Sequence, residues 1–327
     1  MNLDAPDAIR HIIVDTDTGI DDALALLYLA GHPHAEISAI TSVFGNTSVD
    51  SALTNIARVL SVAELEDTLV ARGAAGPIVG TSRLASHVHG EDGLGDLWST
   101  PLRPKNMSPL SSAELIVQMA RARPGYYDLL PLGPFSNVAL ALEIEPDLLT
   151  LFRSVVVMGG SGAYPAPGTM LMVDANVHSD GVAAERMFAA PRRALVMVGV
   201  DVTARAIVDE QGVLALRRSG TPWGTFSADV LDAYMDFTQY TWGRRISAAH
   251  DGLAAALLMH PEWITRSADG PVNVTRDGFA TRAFLMRTSD GMPVCWPARP
   301  APDTHVVLDV DYSAFLADFL RILSRTP

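Results

Sequence analysis

Thiols, lysines and positive charge are nearly missing from this chain. Cys295 is the only cysteine among 327 residues. One thiol makes neither an intrachain disulfide nor a cysteine-based zinc cluster, and with no His or other base beside it this one reads as inert. Lys105 is the only lysine, so 24 − 1 = 23 of the basic residues are arginine. Against 37 acidic residues they leave a net charge of −13, which argues against nucleic acid as the main partner and against docking on anionic membranes. No apolar run approaches the ~18 residues that span a bilayer. Residues 1–10 carry two Asp and no apolar stretch, unlike a signal peptide. The expectation is a cytoplasmic, soluble protein.

Hydrophobic residues make up 48% and charged ones 19%, a globular composition. A chain this long buries about three quarters of its unfolded surface; its length suggests about two domains, but α/β folds often reach this size as one unit, and one domain over residues 1–327 is expected. The apolar run at 11–15 reads as a buried strand, followed by turn chemistry at 16–19 and a buried helix over 21–30. Further strands are expected at 37–43, 69–71, 127–132, 155–158 and 194–200, with helices over 49–60 and 136–142. Alternation of this kind predicts an α/β fold: a mainly parallel central sheet with helices on both faces, Rossmann-like, and ligands at the carboxyl ends of the strands. Asp15, Asp17, Asn46, Leu132, Met158 and Asp201 would converge there. Residues 81–109 read as a long functional loop and 226–260 as helical. Turn signals such as Ser289-Asp290-Gly291 within 271–309 suggest a small late β-hairpin appendage, and 312–322 a terminal helix.

The strongest local feature is Asp15-Thr16-Asp17-Thr18-Gly19-Ile20-Asp21-Asp22, four carboxylates within eight residues between two apolar segments. Helix capping accounts for one or two of them. Four like charges beside such neighbours call for a hard divalent cation with oxygen ligands. An EF-hand loop from Asp15 would need Glu where Leu26 stands. A metal-dependent phosphotransferase of the haloacid-dehalogenase type, with Asp15 as nucleophile, matches Asp15 and Asp17, but Lys105 is its sole candidate lysine. The glycines at 159, 160 and 162 fit neither the dinucleotide fingerprint nor the serine nucleophile elbow.

The stretch Asp15–Ala25 resembles the N-terminal signature of the nucleoside hydrolases, the inosine–uridine-preferring family of ribonucleoside N-glycosidases. Gly45-Asn46, the loop His89-Gly90-Glu91-Asp92-Gly93-Leu94, the segment Gly133-Pro134-Phe135-Ser136-Asn137-Val138-Ala139, Met158-Gly159-Gly160, Asp174-Ala175-Asn176, Met197–Thr203 and His250-Asp251 follow in the family's order, so the likeness covers about residues 10–310. It implies a Ca2+ cofactor held by Asp17, Asp22, the Leu132 carbonyl and Asp251. It implies ribose contacts from Asp21, Asn46 and Asn176; Met158, at a strand's carboxyl end, and Tyr234, on a helix where aromatics either stack on the base or pack in the core, are further substrate-pocket candidates. Asp174 stands where the family commonly has Glu near the 5′-hydroxyl, and Asp15 would orient its neighbours. Thr18 replaces the usual Pro, an exchange expected to matter little. The implied partner is a small-molecule ribonucleoside, and the implied assembly is a homodimer or homotetramer.

The chemistry makes sense of these residue types. Breaking a ribosyl C–N bond develops positive charge on the sugar, which carboxylates and amide oxygens stabilise more than they stabilise the neutral ground state. Asp17 would act as general base, and His250, with a pKa suited to neutral pH, as the acid that assists the departing base. His89 is a second candidate. The late His favours inosine–uridine or pyrimidine substrates. His32, His34 and His87 read as surface histidines. A non-catalytic nucleoside or sugar-binding protein on the same fold is the remaining alternative.

Overall fold

The β-branched run near the N-terminus forms the middle of a parallel sheet. The computed structural model describes residues 9–163, 172–277, 280–285 and 301–326. In chain order, β1 (Arg10–Thr16), α1 (Ile20–Gly31), β2 (Ala35–Ser42), α2 (Val49–Val62) and β3 (Val70–Ala71) build one side. A one-turn helix α3 (Ser86–His89) interrupts the long loop that follows, and α4 (Ser112–Ala122) returns the chain to the sheet. Then come β4 (Tyr127–Pro131), α5 (Ser136–Ile144), β5 (Val155–Met158), α6 (Ala175–Ser179), α7 (Gly181–Ala189), β6 (Leu195–Val198), α8 (Val200–Thr203), β7 (Ile207–Asp209), α9 (Glu210–Ser219) and α10 (Pro222–Trp242). The last part holds β8 (Ile246–Ala248), α11 (His250–Met259), β9 (Ile264–Gly270), β10 (Val272–Asp277), β11 (Ala280–Leu285), β12 (Thr304–Val310) and α12 (Tyr312–Leu323).

The main sheet has the order β3-β2-β1-β4-β5-β6-β12-β9, parallel except for β9, which runs antiparallel to β12. The chain leaves β1 towards β3 and returns on the other side of β1 at β4. That reversal is a topological switch point, where open α/β sheets bind ligands. Side chains alternate across the sheet. Ile12, Val14, Val156 and Val196 face one core, with α1, α10, α11 and α12. Ile13, Leu129, Val155 and Leu195 face the other, with α4, α5 and α7. Helix α1 is buried on all sides, as its unbroken apolar run requires.

Two expectations need correction. The helical region 226–260 is two helices, because Gly243 takes the left-handed conformation (φ 67°) and caps α10; β8 then pairs with β7 before α11 begins. The strand expected at 194–200 stops at Val198, and Asp201 lies in α8. The expected late hairpin is present as β10 paired with β11, and beside it β9 and β12 extend the main sheet. The turn at 289–291 and Cys295 lie outside the described residues.

Candidate active site

Strand β1 delivers the acidic loop to the switch point, and two helices that start there supply the rest. Asp21 and Asp22 occupy the first turn of α1, and Asp251 the first turn of α11. Helix N-termini carry partial positive charge and favour carboxylates. One oxygen from each of these three buried side chains lies within 4.8 Å of the others. Asp22 also stands within hydrogen-bond reach of both Asp17 and Asp251. Burial, then the charge of Asp22, pushes the Asp21 carboxyl up to about 8. Burial raises Asp17, with the charge of Asp22 adding to it, and burial raises Asp251, with the charges of Asp21 and Asp22. Asp21 Oδ1 is buried without a hydrogen-bond partner.

Amides and hydroxyls hold this loop. The Asp17 carboxylate accepts the Asn46 backbone N–H at 2.6 Å and its side-chain amide at 3.3 Å. Asp22 accepts the Thr16 hydroxyl at 2.5 Å, the Gly19 N–H at 2.9 Å and the Asn46 amide at 2.9 Å. Asn46, expected on ribose, thus bonds to two carboxylates. Gly45 must be glycine, since a Cβ there would stand 2.0 Å from Asp17 Oδ2. Asp15 is fully buried below the site, accepting Thr41 Oγ1 at 2.6 Å and Asn137 Nδ2 at 2.7 Å. Burial lifts its carboxyl to about 6.

The neighbouring strand ends close the floor. The Leu132 carbonyl accepts the Asn176 amide at 2.6 Å, and that amide also reaches the Met158 carbonyl at 3.1 Å. Asp174 caps α6 through the Val177 N–H at 2.8 Å, and burial pushes it up to about 6. Asp201 lies against the Gly162 turn.

Two histidines and an aromatic pair form the wall. His89 Nδ1 accepts the Ile20 N–H at 3.1 Å, which leaves the proton of the neutral ring on Nε2. Its ring stacks on Tyr234 with centroids 5.8 Å apart, and Tyr234 stacks on Phe237 at 6.3 Å. Burial and the nearby His250 lower His89 to about 3. His250 Nδ1 shares a hydrogen bond of 2.7 Å with the Thr203 hydroxyl. Burial lowers His250 to about 4, so the pKa near neutrality expected from the sequence is corrected, and the ring rests uncharged. His32 is also corrected: it is buried, and its Nε2 stands 3.1 Å from His260 Nε2. Thr16, Asn137 and Thr203 stand inside motifs read from the sequence and Thr41 in an expected strand, but the partners of all four were not foreseen. They are common residue types, and only the fold shows what they touch.

The phosphotransferase alternative does not fit. An in-line nucleophile needs access, and Asp15 is sealed within the sheet between Thr41 and Pro131. Lys105 pairs with Glu66 at 3.0 Å, in a loop whose Met107 bridges to β3.

Comparison with known proteins agrees with this geometry. The family model described as inosine-uridine preferring nucleoside hydrolase matches residues 12–317. The chain is 31% identical to an inosine-uridine preferring nucleoside hydrolase of Leishmania major over 97% of this chain and 98% of that one. It is 33% identical to a probable uridine nucleosidase of Oryza sativa, covering 84% of each. Among solved structures, the plant nucleoside hydrolase PpNRh1 superposes with a TM-score of 0.87 at 25% identity, covering 96% of this chain and 99% of that one. An inosine-guanosine nucleoside hydrolase gives 0.82 at 27%, covering 97% and 99%. The chain therefore belongs to the inosine-uridine preferring nucleoside hydrolase family, enzymes that act on ribonucleosides.

Proposed function

We propose that this enzyme hydrolyses inosine, uridine or another pyrimidine riboside to ribose and free base in a calcium-dependent reaction. The observation that carries the reading is the Asp21–Asp22–Asp251 group at the switch point. Oxygens about 2.4 Å from one calcium ion stand at most ~4.8 Å apart, and the three carboxylates meet that limit. The unpartnered Asp21 Oδ1 is a donor in want of a cation. Asp17 and the Leu132 carbonyl complete the proposed ligand set. When bound, the ion offsets the clustered charge and lowers the proton affinity of an oxygen nucleophile beside it.

The chain's own groups do the rest. Asp17 accepts the nucleophile's proton, and the carboxylates stabilise the positive charge that grows on the sugar. Asn176 and Asp174 border the ribose, and Asp21 and Asn46 contact its hydroxyls. His250 and His89 face the departing base as neutral rings that donate hydrogen bonds, with Tyr234 against its plane. The uridine and inosine-uridine names of the relatives support that choice of base. The working form is a homodimer or homotetramer, which sedimentation tests. The decisive assay is ribose release from inosine, uridine, cytidine and adenosine with and without a calcium chelator. Chelator-sensitive release is expected, with the ranking giving the base preference. Four intact nucleosides in saturating calcium would sink the reading.

A further inference from the structure

The acidic loop and the loop that carries His89 are joined by a residue outside the proposed ligand and ribose-binding sets. Asn55 lies on α2 and is buried. Its single amide nitrogen donates to the Thr18 carbonyl at 3.0 Å and to the Asp92 carbonyl at 2.8 Å. An amide has two N–H donors, and each is committed to a different loop. Thr18 sits between Asp17 and Asp21, held at φ 25°. Asp92 organises the other loop: its carboxylate accepts the backbone N–H groups of Leu94 at 2.6 Å, Asp96 at 2.9 Å and Trp98 at 3.2 Å. The Gly95 N–H in turn bonds to the His89 carbonyl at 2.7 Å. A Cβ on Gly93 would come 2.8 Å from the Asn55 amide, so the loop is moulded around it.

We propose that Asn55 is a positioning residue, whose amide clamps the acidic loop to the His89 loop so that the cation site and His89 act on the same sugar–base bond. The proposal rests on the reading of His89 as a group that assists the departing base. The two loops are otherwise joined at this point by the Ile20–His89 hydrogen bond, which the clamp keeps in register. A displacement of about 1 Å in such an arrangement costs up to about a hundredfold in rate.

The test compares uridine, whose base leaves poorly, with a 4-nitrophenyl riboside, whose leaving group needs no assistance. For Asn55→Ser, kcat on uridine should fall about tenfold or more, with KM and the nitrophenyl rate within about threefold of wild type. In a His89→Ala background the same substitution should add little, since both act on one contact. Gly93→Ala presses on the clamp from the loop side and should reproduce the split if Asn55→Ser does not fold. Equal losses on both substrates, or an Asn55→Ser loss that adds in full to His89→Ala, overturn the role of Asn55. A His89→Ala enzyme with the wild-type ratio of the two substrates overturns instead the reading of His89 on which the proposal rests.

Discussion

The two ends of the central sheet treat buried acids in opposite ways. At the amino end of β4, Asp128 is fully buried and surrounded by donors. Arg10 reaches it at 2.9 Å and 3.1 Å, Ser154 at 2.7 Å, and Arg153 forms a two-pronged ion pair with it. Burial alone would raise its carboxyl; the Arg153 and Arg10 hydrogen bonds hold it below the usual range instead. At the carboxyl end, the strongest electrostatic neighbours of Asp17, Asp21 and Asp251 are one another and Asp22, and all three carboxyls are pushed up. One end satisfies its charge from within the chain. The other is left short of charge partners, as the proposed cation and sugar would require. An acid that stabilises the fold and an acid that serves function are therefore told apart by what surrounds them, not by burial.

The sharpest break of this contrast is a pair of neutralising substitutions. Asp251→Asn should lower kcat/KM about a thousandfold or more, because the proposed calcium site loses one of its charged ligands. The same change should raise the metal-free stability by about 1–2 kcal/mol, because a repelled charge is removed. Asp128→Asn should do the reverse, costing about 3–5 kcal/mol by leaving two arginines without their carboxylate while the folded fraction keeps its turnover. Activity assays beside thermal unfolding in chelator decide it. An Asp251→Asn protein less stable than wild type without metal would refute the idea of an unsatisfied cluster.

A second, smaller effect is in pH. For Asp15, Asp21 and Asp174 the folded carboxyl is raised, to about 6, 8 and 6. Their folded forms hold protons that the unfolded chain has released above about pH 4. The stability they contribute is thus present below that pH and is lost as pH rises through 6 to 8. Asp128, with a lowered value, contributes the other way: its share is lost only in acid. Metal-free protein should melt at a lower temperature at pH 8 than at pH 5.5. Calcium should flatten or reverse the slope, since binding to the native state alone adds stability. A melting temperature that rises from pH 5.5 to 8 in chelator would count against the raised values.

Much of this was legible beforehand, for physical reasons. The alternation of strand and helix and the four Asp residues after β1 depend on local sequence, so they could be read directly. The two cores, the switch point and the meeting of Asp21 with Asp251 follow from that pattern once the sheet order is known. What could not be read was pairing across long separations. Asn55 bridges two loops, Asn137 bonds Asp15 across 122 positions, and Arg10 finds Asp128 across 118. Nothing in the identity of an Asn or Arg announces its partner. The join of β12 to β6 was hidden likewise, because a parallel neighbour more than a hundred residues away leaves no turn signal. The uncharged state of His250 came only from its burial.

Thr18 offers the finest test at the functional end. The sequence suggested that Thr in place of Pro would matter little, but the backbone says otherwise. At φ 25° a β-branched residue is strained, and proline, fixed near −65°, has no access to that conformation. The Thr18 N–H also donates to Thr16 Oγ1 at 3.0 Å, a bond that proline cannot make. Thr18→Pro should therefore cost about 3 kcal/mol and, by turning the loop between Asp17 and Asp21, weaken calcium binding. Thr18→Gly relieves the strain but gives up the contact of the two threonine hydroxyls at 3.1 Å, so its stability should stay within about 1 kcal/mol of wild type. Unfolding midpoints and calcium titrations on the two variants separate backbone geometry from side-chain bonding. If proline and glycine behave alike, the positive φ does not hold the acidic loop in place, and its hydrogen bonds to Asn46, Thr16 and Asn55 must do so.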